Sequence, residues 1–292
     1  MLHTRLVTGA ILIALLAGLL WLDARWQDLP VQAWPGGSLP GGSLPGGVLL
    51  GSVAMLLLVP ALTIELTRLL RAGGVAAWSF GAALPVALAG FATVMFASWN
   101  LPFAARAAAI VATLGLLPAA VALTRADSAK ALAESGRWLL LAGWIGALPA
   151  CWIALRAEAP WWALAGAVLV VKLNDMGAYF SGMALGKHRM VPWISPKKTW
   201  EGFLGGAACS VAAGTWLGER MGVGGMRGAA FGLLASLLGP IGDLSESILK
   251  RQAGAKDSGA TVPGMGGAMD VLDSLLLTAP AAWWLLGARS VA

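Results

Sequence analysis

The stretch GDLSESILKRQAGAKDSGATVPGMGGAMDVLD, from Gly242 to Asp273, concentrates charge between two apolar segments at 229–241 and 275–286. It contains four Asp, one Glu and three basic residues. An acidic side chain at the centre of a membrane helix costs roughly 2.5 to 3.5 kcal/mol, and it costs less towards the helix ends. Acids retained at the ends of two apolar segments, beside three bases, indicate a site for a cation and an anionic ligand.

The composition is that of an integral membrane protein. Hydrophobic residues make up 58% of the chain and charged residues only 12%, whereas soluble domains carry about a quarter charged residues. The mean hydropathy is +0.77. Fifteen Trp suit a chain that contacts lipid interfaces, where indole rings collect. The net charge of +6 does not indicate a nucleic-acid partner, since basic loops facing anionic lipid and the cytoplasm account for it.

Apolar segments of about 20 residues are long enough to span a bilayer. We therefore predict an all-α fold, a polytopic integral membrane bundle of about nine transmembrane helices. The first segment is expected to be a retained helix, because no small-residue cleavage site follows it. The Gly/Pro/Ser-rich stretch 35–47 is expected to be a flexible connector. The nine segments are Leu6–Leu22, Gly47–Ile64, Val75–Ala97, Leu101–Leu123, Trp138–Leu155, Trp161–Phe180, Gly202–Leu217, Met226–Leu244 and Gly267–Gly287.

The distribution of Lys and Arg predicts a cytoplasmic N-terminus. With alternating crossings, thirteen of the 20 basic residues fall on the cytoplasmic side and five on the other, as the positive-inside rule requires. This orientation places two polar loops, Ser181–Glu201 and Ser245–Gly266, on the cytoplasmic face. We divide the chain into an N-terminal helical scaffold, residues 1–160, and a catalytic transmembrane region that carries both loops, residues 161–292.

The sequence KLNDMGAYFSGMALGKHRMVPWISPKKTWEGFLGG, from Lys172 to Gly206, holds a first polar cluster. Basic residues around a helix N-terminus form an anion site, because free N–H groups and the helix dipole both face the ligand. We predict that this helix starts at Ser195–Pro196, since Ser caps helices and Pro suits the first turn. The alternative is a basic loop that only sets orientation. The candidate binding residues of this cluster are Asn174, Asp175, Ser195, Lys197, Lys198, Thr199 and Glu201.

The second polar cluster lies in the opening stretch itself. On a helix, Asp243 shares a face with Glu246 and Ser247, and Asp270 shares a face with Asp273. Two helix ends could thus direct carboxylates at one point, and the alternative is ordinary salt bridging between those ends. With only two His in the chain, any metal is expected to use oxygen ligands, which favours Mg²⁺ or a similar hard cation.

The stretch SILKRQAGAKDSGATVPGMGGAMDVLDS, residues 247–274, resembles the signature of the phosphatidate cytidylyltransferases, also called CDP-diacylglycerol synthases. Upstream, NDMGAYFSG and ISPKKTWEG are similar to the nucleotide-side motifs of that family, so the resemblance runs from Lys172 to the C-terminus. It departs at Met265, where the family has His, and at Val271, where the family has Arg. The matching positions are Ser247, Lys250, Arg251, Lys256, Asp257, Pro263, Gly264, Gly266, Gly267, Asp270 and Asp273.

The resemblance implies that CTP and phosphatidate react to give CDP-diacylglycerol and pyrophosphate, with Mg²⁺, alone or with a second cation, as cofactor. It also implies a homodimer and a bacterial-type inner-membrane enzyme whose site faces the cytoplasm. Asp243, Asp270 and Asp273 are the expected metal ligands, and together with Lys250 they are the expected catalytic residues. Besides the seven binding residues of the first cluster, the expected substrate-binding residues are Ser247, Arg251, Lys256 and Asp257.

Two other functions stay open at this point. One is a different CTP-dependent membrane enzyme, acting on another lipid phosphate or on a polyprenol. The other is an ion-coupled transporter, which is disfavoured because the acid-rich motifs all lie in the second half, without a counterpart in the first. A Walker A phosphate loop is excluded, since the residues from Gly182 to His188 have the wrong spacing.

Overall fold

The structure, a computed structural model, describes residues 2–27, 46–75, 79–100 and 135–287. These residues form eight helices and one β-hairpin. Helix α2 includes a π-helical segment, Ala54–Leu58, and α4 includes another, Leu139–Ala147. The elements in chain order are α1 Leu2–Gln27, α2 Val48–Ala72, α3 Phe80–Asn100, α4 Ser135–Glu158, α5 Trp161–Leu185, β1 Arg189–Val191, β2 Ser195–Thr199, α6 Trp200–Met221, α7 Gly225–Gln252 and α8 Ala268–Leu286.

The predicted fold class is confirmed: the protein is an all-α, polytopic membrane protein. Six of the described helices are long and apolar enough to cross a bilayer, namely α1, α2, α4, α5, α7 and α8, and α3 contributes a shorter apolar helix, Phe80–Phe96. Helix α6 has 22 residues, but glycines and polar residues lower its hydropathy. The predicted segment Leu101–Leu123 lies outside the described residues. The count of nine spanning helices therefore stays a prediction.

Close helix contacts in the C-terminal half depend on glycine. A Cβ at Gly206 on α6 would approach the backbone oxygen of Asn174 on α5 to 2.7 Å, and a Cβ at Gly242 on α7 would collide with the backbone oxygen of Asp273 on α8. Real Cβ atoms are not found that close to backbone atoms, so glycine at these positions lets the helices that carry polar side chains touch.

Helix α1 is attached to the bundle near both of its ends. At its C-terminal end, the Asp23 carboxylate forms a buried ion pair of 2.9 Å with Arg156 on α4 and accepts hydrogen bonds from the amides of Gly47 and Leu50. Near its N-terminal end, the Thr8 hydroxyl donates to the carbonyl of Pro263, in the turn between α7 and α8. The N-terminal end of α1 therefore lies on the same side of the bundle as that turn. The division of the chain at residue 160 stays a prediction.

Two predicted boundaries are wrong. The helix expected to start at Ser195–Pro196 starts at Trp200, because residues 195–199 pair with β1 in an antiparallel hairpin. Its N-cap is Thr199, whose hydroxyl accepts a hydrogen bond of 3.1 Å from the amide of Gly202. Helix α7 does not end at Leu244 but continues to Gln252, so the polar loop that follows is shorter than expected.

Candidate active site

A cavity of about 220 Å³ lies where α5, the hairpin, α6 and α7 meet. Six of the sequence-predicted site residues line it, and they come from three different elements of the chain. The helix α5 supplies an amide and a carboxylate, the hairpin supplies two ammonium groups and a hydroxyl, and α7 supplies one carboxylate. The lining residues are Asn174, Asp175, Ala178, Tyr179, Met190, Lys197, Lys198, Thr199, Gly202, Phe203, Pro240 and Asp243.

Lys198 and Asp243 form the central ion pair of this cavity. The Lys198 ammonium lies 3.1 Å from Asp243 Oδ2 and donates to the carbonyl of Pro240 at 3.2 Å. The other carboxylate oxygen, Asp243 Oδ1, is buried and accepts no hydrogen bond from the described residues. A buried carboxylate oxygen without a donor is unfavourable on its own, so it marks a position that a ligand or cation can complete.

A second polar group involves Lys172, which the sequence analysis does not place in the site. Its ammonium lies 3.3 Å from Asp175 Oδ2 and 2.9 Å from the hydroxyl of Ser274, and that hydroxyl in turn donates to Asp175 at 3.1 Å. Lys172 and Asp175 stand three residues apart on one helix face, which is the spacing of a helical ion pair. That spacing is the only sign of this group in the sequence, because Ser274 lies 102 residues away from Lys172.

The third polar group lies between the ends of α7 and α8. Lys250 forms ion pairs with Glu246 at 3.3 Å and with Asp270 at 2.6 Å. The second oxygen of Asp270 accepts hydrogen bonds from the amides of Ser258 and Gly267 and from the Ser258 hydroxyl, at 2.7 to 2.8 Å. Asp270 thus caps the first turn of α8. The carboxylate of Glu246 is fully buried and accepts no hydrogen bond from the described residues.

Asp273 lies one turn further along α8. The carboxylates of Asp243 and Glu246 on α7 are close enough to interact with it electrostatically. One of its oxygens accepts from the amide of Ser274 at 2.6 Å. The acids at the two helix ends thus lie within electrostatic range of one another, and their convergence on one point stays a prediction.

The three polar groups together have a deficit of positive charge. Five carboxylates, those of Asp175, Asp243, Glu246, Asp270 and Asp273, are associated with Lys172, Lys198 and Lys250, and the exposed Lys197 lines the same cavity, which leaves a formal charge of −1. A divalent cation would offset that negative charge. Among the described residues, however, no three His, Cys, Asp or Glu side chains are arranged to enclose a metal ion. Proteins commonly bind Mg²⁺ through only one or two carboxylates together with water and substrate phosphates.

The remaining predicted site residues lie outside the cavity. Arg251, Lys256 and Asp257 are exposed at the end of α7 and in the turn after it, and the Arg251 guanidinium donates to the carbonyl of Ala255. Ser195 and Ser247 are half-buried, at the start of β2 and on α7 respectively. All five are near the charged helix ends in sequence, but the structure gives them no contact with the groups described above.

Glu201 has a structural role at the base of the hairpin. Its carboxylate accepts a hydrogen bond of 2.6 Å from the His188 ring and further hydrogen bonds from the amides of Lys187 and His188. The hydrogen bond from His188 is the main reason that the pKa of Glu201 falls to about 2. Glu201 therefore ties the end of α5 to the start of α6, beside the cavity and not in it.

Glu65, on α2, is the residue of this region that the sequence analysis missed entirely. Its side chain is fully buried and accepts hydrogen bonds from the hydroxyl of Thr261 and from the amides of Ala268 and Met269, and it shares the Ser258 hydroxyl proton with Asp270. These partners follow Glu65 by 193 to 204 residues, so no local pattern around Glu65 indicates the contact.

Comparison with known proteins gives one consistent result. Residues 43–288 match the model of a family described as the cytidylyltransferase family. A Brucella suis protein named phosphatidate cytidylyltransferase is 47% identical over 120 residues, which are 41% of this chain and 44% of that protein. A Mycobacterium bovis protein of the same name is 45% identical over 41% of this chain and 39% of its own length. A Staphylococcus aureus protein of that name is also 45% identical, over 39% of this chain and 45% of its own length. The chain thus spans less than half the length of these curated relatives.

Proposed function

The chain belongs to the cytidylyltransferase family, and from this premise we propose that it transfers the cytidylyl group of CTP to phosphatidate. The observation that supports the proposal best is the cavity beside the membrane-spanning helices, with lysines on one wall and a carboxylate oxygen without a donor on the other. The relatives named phosphatidate cytidylyltransferase support the choice of lipid substrate.

The chemistry of this reaction needs charge neutralisation more than it needs a base. A phosphate monoester has a second pKa of about 6, so phosphatidate already carries close to two negative charges at neutral pH. One of its oxygens forms a bond to the α-phosphorus of CTP, the bond from that phosphorus to the β-phosphate bridging oxygen breaks, and pyrophosphate leaves. The main obstacle is bringing two anions together, and Lys197, Lys198 and Lys172 lie where they would reduce that repulsion.

We further propose Mg²⁺ as cofactor, held by Asp243 and Asp273, because these two acids on α7 and α8 are within electrostatic range of one another, Asp243 has a buried oxygen without a donor, and the surrounding charge is negative. When bound, the ion would neutralise phosphate charge and help to align the reacting groups. Asp270 as a further metal ligand, and a second cation, stay predictions. The four hydrogen bonds that Asp270 already accepts favour a role as the cap of α8.

The position of the cavity also suits one soluble and one lipid substrate. Lys197 is exposed on the hairpin, where a nucleotide from the aqueous side would meet it. Tyr179 lines the same cavity from α5 and is 65% exposed, as a residue on a lipid-facing surface would be. We propose that the cavity opens to the cytoplasm of a bacterial-type inner membrane, as the positive-inside distribution indicates. A homodimer is proposed from the family resemblance alone.

The direct test is an assay of the protein purified in detergent, supplied with CTP, Mg²⁺ and phosphatidate. We expect pyrophosphate and CDP-diacylglycerol to form in equal amounts, and omission of any one component to stop both. A polyprenol phosphate in place of phosphatidate serves as the lipid control. Turnover with that lipid and none with phosphatidate would overturn the assigned substrate, and no pyrophosphate with either would overturn the proposed reaction.

A further inference from the structure

The N-cap position of α8 has no side chain that could accept the first amides of the helix. Gly267 occupies that position, and a Cβ there would collide with the Ser258 hydroxyl and with the Glu65 carboxylate. The first amides of a helix have no partner within the helix and need acceptors from elsewhere. In α8 the amides of Ala268 and Met269 donate to Glu65 at 2.8 and 2.9 Å. Glu65 thus accepts from α2 the two amides that Asp270, which caps the amide of Gly267, does not reach.

Glu65 also holds the turn that precedes α8. One of its oxygens accepts from the hydroxyl of Thr261, and the other lies 3.1 Å from the Ser258 hydroxyl, whose one proton is shared between Glu65 and Asp270. Ser258 contacts both acids of this region, since its backbone amide donates to Asp270 at 2.8 Å. The turn is therefore fixed between a carboxylate of α2 on one side and a carboxylate of α8 on the other.

From this geometry we propose that Glu65 is a positioning residue of the active site. It fixes the first turn of α8 and, through that turn, the places of Asp270 and Asp273. Asp270 is the residue that pairs with Lys250, and Asp273 is the one that lies within electrostatic range of Asp243. The role of α2 is then not confined to scaffolding: it carries one side chain on which the arrangement of the acids depends.

The electrostatics fit this role. A carboxylate at a helix N-terminus interacts favourably with the helix dipole and with unpaired amides. The donors of Glu65 are the Thr261 hydroxyl, the amides of Ala268 and Met269 and a share of the Ser258 hydroxyl proton, so a neutral Gln would keep one acceptor but would point its own NH₂ group at donors. Glu65→Gln is thus nearly the same size as the native residue and removes the property that the proposal depends on. Glu65→Asp keeps the charge on a shorter side chain.

The test uses amide hydrogen exchange of the detergent-purified protein, read over residues 256–270. In Glu65→Gln we expect exchange there to be about tenfold faster, because two or more hydrogen bonds to a charged acceptor are lost. Glu65→Asp is expected to recover part of the protection. Asp23→Asn is the matched control: it removes a second buried carboxylate of the described N-terminal residues, at the end of α1 away from this turn, and should leave exchange at 256–270 unchanged.

Turnover provides a second measurement, which rests on the proposed function. We expect Glu65→Gln to lower kcat about tenfold while KM for CTP stays within about twofold, because the hairpin lysines are untouched. Asp23→Asn should leave kcat per folded molecule unchanged. If Glu65→Gln does not fold, Thr261→Val, which removes one donor to Glu65, is expected to raise exchange at 256–270 about threefold.

These outcomes separate the positioning role of Glu65 from the proposed function of the protein. Unchanged exchange at 256–270 in folded Glu65→Gln, or an equal increase in Asp23→Asn, would overturn the proposal, because the effect would then be absent or general. Faster exchange with unchanged kcat would also overturn it, since the turn would be held without consequence for the acids. If the wild-type protein itself shows no turnover, the proposed function fails, and the exchange contrast alone then decides whether Glu65 holds the turn.

Discussion

The two ion pairs Lys198–Asp243 and Lys250–Asp270 lie in the same charged region, yet they differ in how completely their hydrogen bonds are satisfied. In the first pair one oxygen of Asp243 accepts nothing from the described residues, and both side chains are about one quarter exposed. In the second pair Asp270 accepts four hydrogen bonds, and both side chains are nearly buried. The first pair borders a cavity, and the second joins two helix ends.

This difference predicts a different role for each of the two ion pairs. A carboxylate whose hydrogen bonds are complete stabilises the fold, and it gains little from a ligand. A carboxylate with an unused, buried oxygen is costly in isolation and is stabilised by whatever completes it. We therefore expect substitutions at the Lys198–Asp243 pair to affect turnover most, and substitutions at the Lys250–Asp270 pair to affect stability most.

The largest expected effect is on catalysis, at Asp243. In Asp243→Asn the side chain keeps its size but loses its charge, so kcat should fall about 10³-fold, which is roughly 4 kcal/mol. Thermal unfolding should change little. Asp270→Asn is the matched comparison: its amide would face the donors of Ser258 and Gly267, so we expect the melting temperature to fall. Equal losses of kcat at equal melting temperatures in both variants would remove the distinction between the pairs.

The next expected effect is on stability, at Lys250. Lys250→Met leaves the carboxylates of Glu246 and Asp270 buried without their cation, and breaking such a pair costs about 3 kcal/mol. Lys198→Met is the control, because its partner is more exposed and the stability lost there should be about 1 kcal/mol or less. Thermal unfolding in detergent measures both. A smaller loss in Lys250→Met than in Lys198→Met would contradict the comparison.

The local features of this molecule could be predicted from its sequence. Runs of apolar residues predict the described helices, and helical spacing predicts that Asp243 and Glu246 share a face. The start of α6 could not be predicted in the same way. Ser195 and Thr199 are both good N-cap residues, and only the pairing of β2 with β1 decides between them.

The distant contacts could not be predicted for a different reason. In the sequence Glu65 is a single acid within an apolar helix. Its partners are hydroxyls and backbone amides, which are uncharged, so no basic residue in the sequence indicates where its carboxylate binds. Lys172 and Ser274 are likewise brought together only by the packing of α5 against α8. Hydrogen bonds over such separations depend on the tertiary fold, which periodicity and local motifs do not specify.

The smallest expected effect is on the KM for CTP, at Lys197, a second lysine of the cavity that borders the Lys198–Asp243 pair. This side chain lines the cavity but is exposed, so Lys197→Ala should raise KM for CTP about tenfold and leave kcat within about twofold, as loss of one charge-assisted hydrogen bond to phosphate predicts. Arg189→Ala is the control, because Arg189 is an exposed cation of the same hairpin that does not line the cavity. Its KM for CTP should stay within about twofold of the wild-type value.

The salt dependence of KM separates contact from long-range attraction in this last pair of variants. Exposed charges act over about 8 Å at physiological ionic strength, so a general attraction of the nucleotide to the hairpin would weaken equally in both variants and vanish at high salt. A direct contact from Lys197 would keep KM of Lys197→Ala above that of Arg189→Ala at every salt concentration. Equal KM values in the two variants would mean that the hairpin attracts CTP by its overall charge, and Lys197 would then lose its place among the binding residues.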